Sequence, residues 1–346
     1  MSTPRGLTQP RPAGPVVCVD GPVWIVTEPS LARQVLIDPR IVKDPAYAPP
    51  HWDPREVGLE PTAAEHLSLT TVDGPEHVLL RRAHAPLFSA RRVRAHADRI
   101  TEIARELLTG LGTGTVDLVT DFTSRYPLTV LLELLGVPLD RLDQATAASQ
   151  LLVGGDPGQR GAAIASYLEL AAAAGGAGLA AELRERLPER ITDPQLHYLL
   201  FGLIFAGQVT TEAALGYLLA HALHGRIGEE DLVGQTLRQH PPAPFTLWRF
   251  TSTEVELAGV PLPARAAVLI DIAGLNAEGH DLTFGGGPHY CVGAQLALAE
   301  LGAVLHVLRT EFPRARLAVP FEDLREVHLG GIQGSRLTAL PVTLTG

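Results

Sequence analysis

Cysteine is nearly absent from this chain. Cys18 and Cys291 are the only two in 346 residues, far apart and without Cys-x-x-Cys spacing, which excludes a disulfide scaffold and a cysteine-rich zinc cluster. Positive charge is short as well. With 28 Lys and Arg against 38 Asp and Glu, the net charge is −10, so neither nucleic acid nor an anionic membrane is an expected partner for the surface as a whole. The longest apolar run, Leu199 to Gly207, is too short to span a bilayer and is followed by Gln208, Thr210, Thr211 and Glu212. The N-terminal stretch MSTPRGLTQPRPAGP has no apolar h-region. Residues 1–14 therefore read as a flexible polar tail rather than a signal peptide, and a reducing, cytoplasmic setting is expected.

The chain is 46% hydrophobic and 19% charged, the balance of a globular protein. The stretch VVCVDGPVWIVTEPS reads as two short strands around Asp20-Gly21, and SLARQVLID has helical spacing. Ala46 to Glu60 is a proline-punctuated loop. Asp73-Gly74-Pro75 then opens a helix over EHVLLRRAHA, with Pro75 in the favoured first turn. Helical segments follow in ADRITEIARELLTGL, RYPLTVLLELLGV, GAAIASYLELAAAA, AAELRERL, QLHYLLFGLIFAG and TTEAALGYLLAHAL, separated by Gly, Pro and Asp. Strand patterns return on both sides of Gly259 and in RLTALPVTL. With no repeat and no long linker, residues 15–346 are expected to form one domain, mainly α with small β-sheets near both ends of the chain.

One stretch carries chemistry. FGGGPHYCVGAQLALAE, Phe284 to Glu300, sets Cys291 between a glycine-rich loop and an Ala/Leu-rich helix. The glycine spacing matches neither G-x-G-x-x-G nor a Gly-Lys-Ser/Thr phosphate loop. A nucleophilic cysteine has His289 nearby in sequence, but nothing selects a third partner. Iron ligation by a single thiolate is the third chemistry. A helix N-terminus after Cys291 would hold the sulfur anionic, and Gly287 and Gly293 would let backbone approach a flat macrocycle. A small buried cysteine at a helix end is the plain alternative, and spacing alone leaves these readings open.

Phe284-x-x-Gly287-x-x-x-Cys291-x-Gly293 resembles the haem-loop signature of the cytochrome P450 superfamily in its soluble bacterial form, without a mismatch. The resemblance runs over roughly residues 15 to 346 and implies the P450 fold, with haem b ligated by Cys291. GPEHVLLRR is similar to the family's C-helix, in which His77 and Arg81, one turn apart, would bind the haem propionates. Arg249 after the K-helix and His289 in the cysteine loop would join them. FAGQVTTEAA resembles the oxygen-binding I-helix motif, with Ala206-Gly207 opening a local groove and Thr210 offering its hydroxyl to dioxygen. The implied activity is O2-dependent monooxygenation of a small organic substrate. Its pocket would be lined by the loop 46–70, the I-helix and residues near Phe245 to Trp248. Electrons would come from an NAD(P)H-linked ferredoxin reductase and ferredoxin, docked on Arg82, Arg91, Arg92 and Arg94.

The chain also departs from the family. The K-helix Glu-x-x-Arg becomes Gln235-Thr-Leu-Arg238, leaving an amide to hydrogen-bond Arg238 without neutralising it. The meander and the segment between I- and K-helices look shortened. Val209 stands where an acid usually precedes the threonine, so proton delivery falls to Thr210, water, Gln208 or the substrate. These losses raise the alternative of a P450-like scaffold or auxiliary protein without turnover, against which the intact Cys291 loop and propionate set argue.

Overall fold

The computed structural model describes residues 14–19, 23–50, 52–53, 60, 62–153, 158–174, 176–329 and 333–344. The expected N-terminal tail through residue 13, the turn at Asp20-Gly21 and most of the loop at 51–61 lie outside them. The helices are α1 (Pro29–Ile37), α2 (Gly74–His84), α3 (Ala90–Ala95), α4 (Ala97–Gly110), α5 (Arg125–Leu135), α6 (Leu142–Val153), α7 (Arg160–Ala172), α8 (Gly178–Arg186), α9 (Asp193–His221), α10 (Leu232–Gln239), α11 (Ile272–Ala277) and α12 (Ala294–Glu311). The strands are β1 (Val16–Val19), β2 (Val23–Val26), β3 (Ile41–Val42), β4 (Gly114–Asp117), β5 (Arg249–Thr251), β6 (Val255–Leu257), β7 (Val260–Leu262), β8 (Ala267–Ile270), β9 (Arg316–Leu317), β10 (Glu326–His328), β11 (Ser335–Leu337) and β12 (Pro341–Leu344). The protein is thus mainly helical with small sheets.

The described residues divide into two compact units. The first comprises those up to Arg81, Arg238–Val292 and residues 333–334. Its frame is a five-stranded sheet in the order β1-β2-β8-β5-β3, antiparallel except where β2 runs parallel to β8. β8 is buried along its whole length, which explains its unbroken Ala-Val-Leu-Ile run. Val268 and Ile270 point to one side, where Leu31, Val35 and Leu36 of α1 pack. Ala267 and Leu269 point to the other, against Trp248 and Phe250. Proline in the first turn and Glu28, which accepts from the Ser30 and Leu31 amides, start α1. β6 and β7 form a hairpin through Ala258-Gly259, both at positive φ.

The second unit comprises Arg82–Leu237, Gly293–Leu329 and Ser335–344, and holds most of the helices with the sheets β4-β12-β9 and β10-β11. α9 runs through its middle, packed against α5, α7, α12 and β11. A capping box between Thr192 and Gln195, with Pro194 in the first turn, fixes its start. Tyr126 of α5 ties α4 to α12 by donating to the carbonyls of Ile100 at 3.3 Å and Glu300 at 3.2 Å.

α9 is one 29-residue helix, where the sequence suggested two segments broken near Gly207. Gly207 does not break it because Leu131 of α5 fills the missing side chain's place; a Cβ there would lie 2.9 Å from the Leu131 Cδ1. Together with its extension to Arg226, α9 is long and apolar enough to cross a membrane on composition alone. Even so, 72% of the apolar window is buried inside the fold, as expected of a core helix.

Candidate functional site

The N-terminus of α2 organises one site within the first unit. Asp73, just before the helix, accepts the backbone N–H of Lys43 through one carboxylate oxygen and meets His289 Nε2 at 2.9 Å with the other. One short carboxylate therefore joins the end of β3, the start of α2 and the cysteine loop. Burial pushes its pKa up, but the His289 hydrogen bond and the Lys43 amide outweigh that and hold it at about 2. Asp73 is the firm anion of the site.

Around it stand the cationic and imidazole groups. His77 is buried, and its ring lies 3.9 Å from that of His289. Burial, aided by Arg81 for His77, drops both imidazoles to about 4. Arg249 is 3% exposed, and burial lowers even its guanidinium to about 10. Arg81 is half-buried, and Cys291 partly offsets the desolvation of its charge. His77 Nε2 and Arg249 Nε are buried without a hydrogen-bond partner. Two arginines beside Asp73, with orphaned nitrogens on His77 and Arg249, match a ligand bringing buried anionic oxygens.

Cys291 is exposed, and its amide donates to the Phe284 carbonyl at 2.9 Å, closing the loop on itself. Gly293 is the N-cap of α12, so the expected helix starts three residues past the sulfur. Gly293 has φ of −87° and needs no glycine for its backbone. Gly287 does, at φ +65°, and its close approach is to the Leu36 carbonyl of α1. Its smallness serves packing of the cysteine loop on α1, a reason the sequence reading did not foresee.

The other expected residues lie in the second unit, on α9. Thr210 Oγ1 donates to the Ala206 carbonyl at 2.8 Å. The groove expected at Ala206-Gly207 is not a break in helical backbone. Gln208, considered as a proton helper, is committed elsewhere: its carbonyl accepts from Ser149 at 2.7 Å and its amide donates to Glu212. Glu212 also meets Arg336 at 3.4 Å, and burial raises its pKa against the pull of Arg336 and Gln208. Glu300 of α12 is a second buried acid, raised well above the ordinary range by desolvation and hydrogen-bonded by Thr211. The sequence motifs point to neither acid, though a lone Glu amid TTEAALGYLLA signals a charge needing a partner.

Three further expectations change. Gln235 accepts from Arg226 at 2.6 Å and donates to the Glu230 carbonyl, while Arg238 reaches the Asp281 carboxylate at 3.9 Å. The amide therefore does not serve Arg238. Trp248 is core rather than pocket lining, 3% exposed with the Trp52 ring edge-on at 4.6 Å. Of the proposed docking arginines, Arg82, Arg91 and Arg94 are exposed, whereas Arg92 pairs with Glu182.

A single-cysteine loop with unbalanced buried cations beside it is the signature of a haem-thiolate protein. No protein-family model matches the chain. It is 42% identical to the cytochrome P-450 monooxygenase DoxA of Streptomyces sp. (strain C5), over 96% of this chain and 93% of that one. That alignment runs over 392 positions, more than the 346 residues here, so parts of the relative have no counterpart. It is 31% identical to the vitamin D(3) 25-hydroxylase of Pseudonocardia autotrophica, over 94% and 89% of the two chains. Among solved structures, CYP154A1 from Streptomyces coelicolor A3(2) matches with a TM-score of 0.81 at 28% identity, covering 96% and 95%. The tirandamycin C-bound P450 monooxygenase TamI matches at 0.80 and 28%, covering 93% and 90%. The chain belongs to the cytochrome P450 superfamily: it is a haem b monooxygenase whose axial ligand is Cys291, acting on an organic substrate with electrons from a redox partner.

Proposed function

We propose that residues 15–346 act as a single haem domain in which His77, Arg81, Arg249 and His289 hold the propionates. The observation that carries this is the pair of orphaned buried nitrogens, His77 Nε2 and Arg249 Nε. Asp73 keeps His289 turned toward the site, and the Phe284 carbonyl holds the Cys291 amide, fixing the loop that carries the thiolate. Gly287 seats that loop on α1 and Gly293 starts α12. When bound, haem supplies the activation of dioxygen, one oxygen atom going to a substrate C–H bond and the other to water, with two electrons and two protons.

On α9, Ala206, Gly207 and Thr210 serve oxygen by resemblance to the I-helix motif. Thr210 is the proton-holding hydroxyl, and with Gln208 committed to Ser149 and Glu212, its proton source is water or the substrate. One named relative is a vitamin D(3) 25-hydroxylase and one matching structure holds tirandamycin C, which supports a bulky organic molecule as substrate. Exposed Arg82, Arg91 and Arg94 suit an acidic ferredoxin served by an NAD(P)H-linked reductase in the cytoplasm. The parts of DoxA without a counterpart here are read as the meander and the I-to-K segment.

The test is a difference spectrum of the reduced protein under carbon monoxide. The thiolate-specific Soret position is expected in the wild type and lost in Cys291→Ser. A wild type without that band refutes the ligand assignment. A normal band with no substrate-dependent electron consumption favours the auxiliary role instead.

A further inference from the structure

The register of one strand pair places a second cation against Arg249. β3 pairs with β5 antiparallel, Ile41 opposite Thr251 and Val42 opposite Phe250. The next position in that register sets Lys43 opposite Arg249. Both side chains are buried, 4% and 3% exposed. Like charges directly opposite each other in a ladder repel, and burial makes the repulsion worse. An anion beside such a pair offsets the repulsion.

The carboxylates nearby do not suffice. Asp73 spends its oxygens on His289 and on the Lys43 backbone N–H. Glu60 is buried and accepts from the hydroxyls of Ser68 and Thr70. The carboxylates that act on the Lys43 charge are these same two, Asp73 and Glu60. Burial first, then Arg249, depresses the Lys43 pKa well below its usual range, against the pull of Asp73 and Glu60. Lys43, Arg81 and Arg249 outnumber the carboxylates Asp73 and Glu60, leaving positive charges in excess. A dicarboxylate ligand brings two negative ones.

We infer that Lys43 is a further haem-propionate residue, a cation placed by the β3–β5 register to complete the charge balance with Arg81, Arg249 and Asp73. The inference rests on the haem reading above. Lys43 is a positioning and binding residue, with no part in the chemistry at the iron. It follows that the site is electrostatically strained until the propionates arrive, so that cofactor binding and local stability are coupled through this lysine.

Haem release to excess apomyoglobin tests this in the full chain, with wild type, Lys43→Met, Lys43→Gln and Lys43→Arg each loaded with haem or with haem dimethyl ester, which lacks the propionate charges. Losing a charge-assisted hydrogen bond is expected to speed haem release about ten- to a hundredfold in Lys43→Met and Lys43→Gln, with Lys43→Arg close to wild type. With the dimethyl ester the wild type and Lys43→Met should release at the same rate. The haem-free Lys43→Met chain should melt higher than wild type, because the uncompensated buried cation is gone. Unchanged haem release, or equal acceleration for haem and its ester, overturns the inference, as does a lower melting point with unchanged release. The carbon monoxide spectrum separates the two readings: its thiolate band persists in Lys43→Met whether this inference holds or fails, and disappears only if the ligand assignment itself is wrong.

Discussion

Two glycines in the cysteine loop allow backbone strain and steric fit to be separated. Gly285 and Gly287 both sit in the left-handed region, at φ +69° and +65°. Nothing lies within 4 Å of where a Gly285 Cβ would be, whereas a Gly287 Cβ would sit 2.7 Å from the Leu36 carbonyl oxygen and 3.0 Å from Ile37 Cγ2. Gly285→Ala therefore costs only the conformational term, about 1–2 kcal/mol. Gly287→Ala costs that plus displacement of the loop or of the last turn of α1, where Leu36 is 4% exposed and its backbone cannot yield freely. Overpacking of this kind costs about 1–3 kcal/mol more. Urea unfolding of the two variants, followed by tryptophan fluorescence, should place Gly287→Ala below Gly285→Ala by that difference. Its carbon monoxide spectrum should also show loss of thiolate ligation, since the loop carrying Cys291 is what moves. Equal destabilisation, or a normal thiolate band in Gly287→Ala, refutes the claim that α1 seats the loop.

Two further outcomes follow from the charges. In the haem-free chain, Asp73 has a pKa of about 2 against an ordinary 3.8, so the unfolded chain takes up its proton first on acidification. The corresponding stabilisation, about 2 kcal/mol, is complete above the ordinary value and is lost as pH falls through about 2. Asp73→Asn should flatten that part of an acid unfolding curve, and an unchanged curve would show that the carboxylate is not held by His289 and Lys43. On α9, Arg336→Met removes the cation facing Glu212, which is 8% exposed. Because the Arg336 side chain is 27% exposed, the expected cost is about 1–2 kcal/mol rather than that of a fully buried pair. Pairing Arg336→Met with Glu212→Gln should recover most of it in thermal melts.

Features set by neighbouring residues were legible in the sequence. The loop around Cys291 is a local spacing, α2 announces itself with Asp73-Gly74-Pro75, and the β6–β7 hairpin with Gly259 between alternating strands. Features set by packing across the chain were not. Lys43 comes opposite Arg249 only through the register of β3 on β5, and nothing in Ile-Val-Lys-Asp-Pro indicates that the lysine is buried. Gly207 beside the polar run Gln208 to Glu212 looked like a helix break because the Leu131 side chain that fills the gap comes from α5. α6 is hard to read from sequence because LDQATAASQLLV carries only a weak apolar stripe. Gln235 was matched with Arg238, its neighbour one turn on, whereas it accepts from Arg226.

The polar residues of α9 gain a division of labour from helical geometry. Successive residues are about 100° apart, so Gln208 and Glu212 share one face, while Thr210 stands roughly opposite both. Gln208 and Glu212 are joined to each other and tied to Ser149 of α6 and to Arg336 of β11. Thr210 closes on its own helix at the Ala206 carbonyl. Gln208 would have to abandon two buried hydrogen bonds to turn toward Thr210, at about 1–3 kcal/mol for each group left unsatisfied. The acid that the sequence lacks at Val209 is therefore not replaced by Glu212, although Glu212 lies only three residues on. Burial keeps that carboxyl within a network that holds α9 to its neighbours, and the face carrying Thr210 is left to water and to the substrate's own hydroxyls. A substrate analogue without such a hydroxyl should then spend more reducing equivalents per product than the parent, and a Val209→Asp variant should narrow the gap.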